Sequence, residues 1–325
     1  MRRDRLVRAL RREETDTTPI WLMRQAGRHL PGYRKLRETH SLLEIARTPK
    51  LAAEVTLEPV RRYDVDAGVI FADISLPFLG LGVPFSIDPG LGPVVRHPIR
   101  TGEEVEAIGE FNARASVGFV GKAIERFLEL EPERPIIGFA GGPFTLAAYL
   151  IEGGPSREYV ETKRLLYSDP ATFDKLIGRL TEMTVDYLTL QARSGAAALQ
   201  LFDTWVGAVT PTIFEQHLLG PITRIFEEIR PLGRPTIYFS TGSSHLLELL
   251  ARTGADALGV DWREPLDRVR GRVGERVTIQ GNLDPGALLG SSRTLRHEAR
   301  RVLEEVGDGR GHVFNLGHGV LPATD

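Results

Sequence analysis

Apolar residues in this chain gather into short runs rich in β-branched and aromatic side chains, and between successive runs the apolar positions recur at helical spacing or follow helix-start signals. Eight such runs read as strands: residues 20–23, 68–72, 136–140, 198–202, 236–239, 257–260, 277–280 and 312–316. The intervening helix starts have physical causes. Ser41 with Glu44 three residues on forms a capping box, Thr48-Pro49 and Asp169-Pro170 set a cap before a first-turn proline, and Asp284-Pro285 repeats that arrangement. Eight strands alternating with helices over about 300 residues predict an α/β fold, a single-domain (β/α)8 TIM barrel with the cleft at the C-terminal ends of its strands. An open doubly wound sheet is the alternative, but it would normally carry a Gly-rich phosphate loop. Neither GxGxxG nor a Walker sequence occurs, since Gly121-Lys122 is followed by Ala123. No linker divides residues 1–325. The least regular stretch, residues 77–98, is rich in Pro and Gly and reads as a long loop near the barrel mouth or a plain surface excursion.

Composition narrows the chemistry. With 325 residues and 42% hydrophobic content the chain buries roughly three quarters of its unfolded surface and needs no staple. It has no cysteine, which excludes disulfide scaffolds, thiolate zinc sites, iron–sulfur clusters and a cysteine nucleophile together. Lys and Arg number 41 against 43 Asp and Glu, a formal net charge of −2, so there is no electrostatic footprint for nucleic acid. Two uncharged or nearly uncharged stretches fail as membrane spans: Gly141-Gly142-Pro143 breaks residues 135–151, and Asp73, Pro77 and Pro84 interrupt residues 68–87. Residues 1–12 lack the apolar core of a secretory signal and read as a short surface helix of a cytoplasmic protein.

In a barrel of this kind the informative residues stand just after each strand. The first run is followed by Arg24-Gln25-Ala26-Gly27-Arg28 and the second by Asp73. The third is followed by Gly141-Gly142-Pro143, with Tyr149 farther along the helix. Later strands contribute Asp203-Thr204, Ser240-Thr241, Asp261, Asn282 and Gly317-His318-Gly319. Two guanidinium forks flanking a Gln-Ala-Gly turn suit carboxylate or phosphate groups. Asp73 ends an apolar run, so its carboxylate needs a partner, either an arginine of the protein or an N–H-donating substrate. Plainer roles stay open for the others: solvated arginines, a packed Tyr149 ring, a capping Thr204, a structural His318. The five lysines end no strand, and HExxH and GxSxG are absent, which disfavours Schiff-base, zinc-protease and nucleophile-elbow chemistry. What is left suits an anionic substrate that carries its own electron sink, with no cofactor and no metal.

These same residues carry a resemblance. Residues 19–34, with Arg24-Gln25-Ala26-Gly27-Arg28 at their centre, closely resemble the N-terminal signature of the uroporphyrinogen decarboxylase family, and residues 138–153, with Gly141-Gly142-Pro143 and Tyr149, resemble its second signature. The stretches 71–74, 201–205, 281–285 and 315–319 extend the likeness along the chain. The resemblance implies a (β/α)8 barrel that removes CO2 from the four acetate side chains of uroporphyrinogen III, giving coproporphyrinogen III, with no cofactor. It further implies Asp73, Arg28 and Arg24 as catalytic residues. Arg24, Gln25, Ala26, Gly27, Arg28, Asp73, Tyr149, Thr204 and His318 would bind substrate, and the partners would be that polycarboxylate tetrapyrrole and a second copy in a homodimer. Family members usually continue into a helix beyond the point corresponding to Asp325, and Thr204 stands where some have Ser. Two other readings remain: a tetrapyrrole-binding barrel without catalysis, and a corrinoid or folate methyltransferase-like barrel, whose zinc ligands the absence of Cys disfavours.

Overall fold

The helix-start signals set the frame of the computed structural model, which describes residues 4–88, 90–307 and 310–324. The strands are β1 (Gly68–Val69), β2 (Phe85–Asp88), β3 (Gly92–Val95), β4 (Ile136–Gly141), β5 (Ala198–Phe202), β6 (Thr236–Phe239), β7 (Ala257–Gly259), β8 (Thr278–Leu283) and β9 (His312–Leu316). The first nine helices are α1 (Arg5–Leu10), α2 (Pro31–Arg37), α3 (Leu42–Arg47), α4 (Pro49–Tyr63), α5 (Gly102–Glu106), α6 (Ala113–Leu130), α7 (Pro143–Glu152), α8 (Val160–Ser168) and α9 (Pro170–Arg193). The capping box forms at α3, where the Glu44 amide donates to Ser41 Oγ and the Ser41 amide to the Glu44 carboxylate. Asp169 caps α9 through the Thr172 amide, while α4 starts at Pro49 with no side-chain bond from Thr48. Asp284-Pro285 opens only a 3-10 turn, Pro285–Leu289.

Seven of the expected strands form one parallel sheet in the order β1-β4-β5-β6-β7-β8-β9. Its edges curl toward each other, and residues 20–23 lie in the gap. The expected first strand is therefore corrected. It is a single parallel bridge, Ile20 to Phe314, in which the Phe314 amide donates to Pro19 O and the Trp21 amide to Phe314 O. On its other side Ile20 O accepts from the Asp66 amide, and the Ile20 amide donates to the Asp66 carboxylate. Strand β1 is also shorter than residues 68–72 because it parts from β4 after Ile70. Side chains replace the missing ladder. Gln191 of α9 accepts from the Phe139 amide and donates to Phe139 O, and Thr56 Oγ of α4 accepts from the Phe71 amide.

Inside the sheet, Ala198, Ile137, Ile237, Ala257 and Val313 pack on Trp21 and on Leu6, Ala9 and Leu10 of α1. The expectation of a surface helix at residues 1–12 is thus overturned for its described part: the apolar face of α1 stoppers the sheet interior, and Thr278 Oγ donates to Ala9 O and Leu10 O. Above that layer Trp21 Nε1 donates to Gln280 Oε1 at 3.0 Å and Gln280 Nε2 to Gln200 Oε1 at 3.1 Å. Above these, at the C-terminal ends of β4 to β6, Phe139, Phe202 and Phe239 meet edge to face, with centroids 5.3 and 5.6 Å apart. The stretch 77–98 carries an antiparallel ribbon of β2 and β3, docked on α7 by the Val95 amide to Gly153 O and, just beyond it, the Ile99 amide to Leu150 O.

Candidate active site

Strand β1 ends into Asp73, whose Oδ1 accepts from the Ser75 amide at 2.9 Å and the Ser75 hydroxyl at 2.6 Å. These two bonds fix the carboxylate on a partly buried turn entering the 3-10 turn Leu76–Leu79. Oδ2 takes no hydrogen bond from the described protein groups.

The arginine segment lies beside it. Arg24 adopts a left-handed backbone, φ 59°, a conformation that a residue with a Cβ holds only when its surroundings compel it. Gln25 supplies the compulsion. Its buried amide accepts from the Leu22 amide at 3.0 Å and donates to Ala67 O at 3.0 Å, pinning the turn to the chain just before β1. The Gln25 side chain therefore points inward and shapes the loop. Ala26 and Gly27 complete the turn, and Arg24 and Arg28 stand exposed. Arg34 donates to the carbonyls of Arg28 and His29, holding the far end.

Helix α7 brings Tyr149 into the same space, where its ring lies 4.2 Å, centroid to centroid, from that of Trp205. Tyr159 packs on the other side of Trp205 at 5.6 Å. The Tyr149 phenol is held well above its ordinary range, by burial first and then by the charge of Asp73, with Arg24 opposing. Its proton stays on at neutral pH. Tyr187 of α9, fully buried, is raised by burial and by the same carboxylate. Burial and Glu152 push Tyr159 up to about 12.

The end of β5 separates two neighbours. Asp203 is fully buried; its Oδ1 accepts from the Thr145 amide at 2.8 Å and the Thr145 hydroxyl at 2.7 Å, and its Oδ2 from Tyr238 Oη at 3.0 Å. It is the N-terminal anchor of α7. Burial raises its carboxyl, against the pull of those bonds. Thr204 is only partly buried, and its carbonyl accepts from the Thr241 hydroxyl at 2.8 Å.

His318 closes the ring of groups from the end of β9. Flanking it, Gly317 leaves no room for a Cβ against the backbone of Asp261 and Trp262, and Gly319 none against the Arg24 side chain. Two other segments thereby press close on either side of the imidazole. Burial, then the charges of Arg24 and Arg263, push His318 down to about 4 against the opposing Asp261, so it is neutral at physiological pH. The structure thus sets Asp73 and Arg24 near Tyr149, and Arg24 near His318. The residues that sequence reasoning missed are Trp205 and Arg263. Trp205 directly follows Thr204 and Arg263 stands two residues beyond Asp261, and only the packing of rings and loops shows what they touch. Among the described residues no group of three His, Asp or Glu side chains is placed to hold a metal ion, and no helix is long and apolar enough to cross a membrane.

Comparison with known proteins agrees with this architecture. The family model for uroporphyrinogen decarboxylase (URO-D) matches residues 1–325. A uroporphyrinogen decarboxylase of Streptomyces avermitilis is 46% identical over 319 residues, covering 98% of this chain and 90% of its own length. One from Thermus thermophilus is 45% identical over 321 residues, covering 99% and 94%. Among solved structures, a methyltransferase from Methanosarcina mazei superposes with a TM-score of 0.80 over 100% of this chain and 94% of its own, at 19% identity, a likeness of fold alone. By the full-length family match and these identities, the chain belongs to the uroporphyrinogen decarboxylase family.

Proposed function

We propose that this cleft removes CO2 from the acetate side chains of uroporphyrinogen III to give coproporphyrinogen III, with the substrate as its own electron sink and no cofactor. The observation that carries the residue roles is Asp73: one oxygen tied by Ser75, the other free, in a partly buried position whose charge is felt by Tyr149. In the reaction a pyrrole ring accepts a proton at the ring carbon adjacent to the one bearing the acetate, which leaves the acetate-bearing carbon conjugated with the cationic, iminium-like ring. The bond between the acetate methylene and its carboxylate breaks, CO2 leaves, and the electron pair neutralises the ring as an exocyclic methylene; a proton added there makes the methyl group, and the proton first taken up leaves the ring carbon to restore the pyrrole, for a net uptake of one. Asp73 accepts from the pyrrole N–H groups and stabilises the positive charge that exists only along this path. A fixed carboxylate is worth most there, because it need not reorient as charge develops. Arg24 and Arg28 hold substrate carboxylates and are the candidate proton donors, Tyr149 and Thr204 offer hydroxyls, and His318 meets the substrate as a neutral donor or acceptor. The aromatic layer of Phe139, Phe202 and Phe239 floors the cleft.

We read the seven-stranded sheet with residues 20–23 in its gap as a single-domain (β/α)8 barrel whose first strand is worn to one bridge. In the same reading the chain works as a homodimer in the cytoplasm, and neither nucleic acid nor membrane is a partner. The test is anaerobic incubation of the purified, chelator-treated protein with uroporphyrinogen III, with the oxidised products separated by carboxylate number. Hepta- through tetracarboxylate products support the reading. Tight binding without product would make this a tetrapyrrole-binding protein instead.

A further inference from the structure

His318 has an arginine on each side, and only one of them lies in the segment that the sequence singles out. Arg263 follows β7 and is held at three points. Its amide donates to Asp261 Oδ1 at 2.9 Å, its Nη1 donates to Asp261 Oδ2 at 2.6 Å, and its guanidinium carbon stands 4.2 Å from the Trp262 ring centroid. Asp261 is in turn fixed from the loop after β6, because its Oδ2 also accepts from the Gly242 amide. The side chain of Arg263 is 55% exposed and that of Asp261 7% exposed, so the anchor is buried and the head open. Nη1 is used, while Nε and Nη2, the edge that matches a carboxylate with two parallel bonds, have no protein acceptor among the described residues. The missing Cβ of Gly317 lets this loop lie against the chain just before His318, as that of Gly319 lets Arg24 lie just after it, and the charges of both arginines reach the imidazole.

We propose that Arg263 is a further substrate-binding residue, which with Arg24 flanks His318 and takes a carboxylate of the tetrapyrrole on its free Nε/Nη2 edge. The inference rests on the reading of this cleft as a polycarboxylate site. A guanidinium already clamped by a carboxylate and stacked on an indole loses little further freedom on binding, which suits a group that must choose among eight similar carboxylates on one macrocycle.

The test compares wild type, Arg263→Gln and Arg263→Lys by steady-state decarboxylation of uroporphyrinogen III and by equilibrium binding of uroporphyrin, the oxidised octacarboxylate. Arg263→Gln should raise KM and the dissociation constant of uroporphyrin about tenfold or more, while kcat changes less than about threefold, because the contact is made alike in ground and transition state. Arg263→Lys, which keeps the charge and the bond to Asp261 but not the fork, should recover part of the loss. It also carries the test should the glutamine variant fail to fold. Unchanged KM and binding in variants that melt as wild type does would overturn the proposal, as would a loss confined to kcat. If the wild type binds uroporphyrin and releases no CO2, the reaction fails but the binding comparison still decides the role of Arg263.

Discussion

Replacing Asp203 separates an anchor from a reacting group. Asp203→Ala removes the acceptor of three buried donors, the Thr145 amide, the Thr145 hydroxyl and the Tyr238 hydroxyl. An orphaned buried donor costs about 1–3 kcal/mol. Relief comes from two sources: a buried carboxyl no longer has to be desolvated, and Thr145 Oγ keeps its bond from the Trp205 amide at 3.1 Å. The net loss should be about 3–5 kcal/mol, the range for breaking one side of a buried charged network. The first turn of α7 and Trp205 both hang on this network, so Tyr149 should shift and kcat/KM should fall with stability. Asp203→Asn keeps an acceptor for Thr145 and offers Tyr238 a donor in exchange, so it should cost only about 1 kcal/mol and leave kcat within a few fold. Urea unfolding followed by tryptophan fluorescence, beside anaerobic turnover, reads both quantities. An asparagine variant with the wild-type unfolding curve and no turnover would refute the argument, because the charge of Asp203 would then be needed in the reaction itself.

Other expectations follow from the same geometry. Asp73→Asn should lower kcat by roughly a hundredfold or more, the usual cost of losing one preorganised group facing developing charge, with uroporphyrin binding retained; near-normal turnover would remove Asp73 from the mechanism. Gly317→Ala should destabilise by about 1–3 kcal/mol and weaken substrate binding, since the new methyl meets backbone at Asp261 and Trp262 that cannot swing aside. Thermal melting and KM would show both effects or neither. His312, fully buried with Nε2 donating to Gly281 O at 2.8 Å, is pushed down to about 4 by burial. The folded state therefore resists its protonation. Its contribution is intact above about pH 6.5, the unfolded value, and falls by about 3 kcal/mol as pH drops toward 4. His312→Gln should flatten that part of the stability profile, and an unchanged profile would assign the acid sensitivity to other groups.

The sheet was legible where burial writes continuous apolar runs: residues 198–202, 236–239 and 312–316 are strands with the expected bounds. It was illegible where side chains do the work of a ladder. Residues 20–23 have a strand's composition, yet their backbone finds one bridge, and Asp66 and Asn315 supply the other acceptors; no periodicity records such substitution. The helix α1 looked like surface because its arginines dominate the composition, although Leu6, Ala9 and Leu10 share one buried face. Strand-end position singled out Asp73 and His318, and the structure sets the charge of Arg24 near both Tyr149 and His318 and that of Asp73 near Tyr149. Position alone could not tell Asp203, which faces the core, from Thr204 beside it, nor show that Gln25 turns inward while Arg24 and Arg28 do not. Arg263 escaped because one arginine among 36 carries no signal until its indole and carboxylate partners are seen.

The seam of the sheet has a mechanical consequence. Between β9 and β1 the wall is stitched by the Ile20 bridge and by side-chain bonds from Asp66, Asn315, Gln25 and Gln280, whereas the neighbouring pair β8 and β9 is registered over five residues. Arg24 begins directly beyond this stitching. The segment proposed to hold the macrocycle therefore sits on the most compliant part of the wall, where a small displacement stretches a few side-chain contacts and leaves the sheet's own rungs closed. Asp203 and His318 follow β5 and β9, strands registered over five residues with a neighbour, so the cleft pairs a yielding rim with a firmer floor.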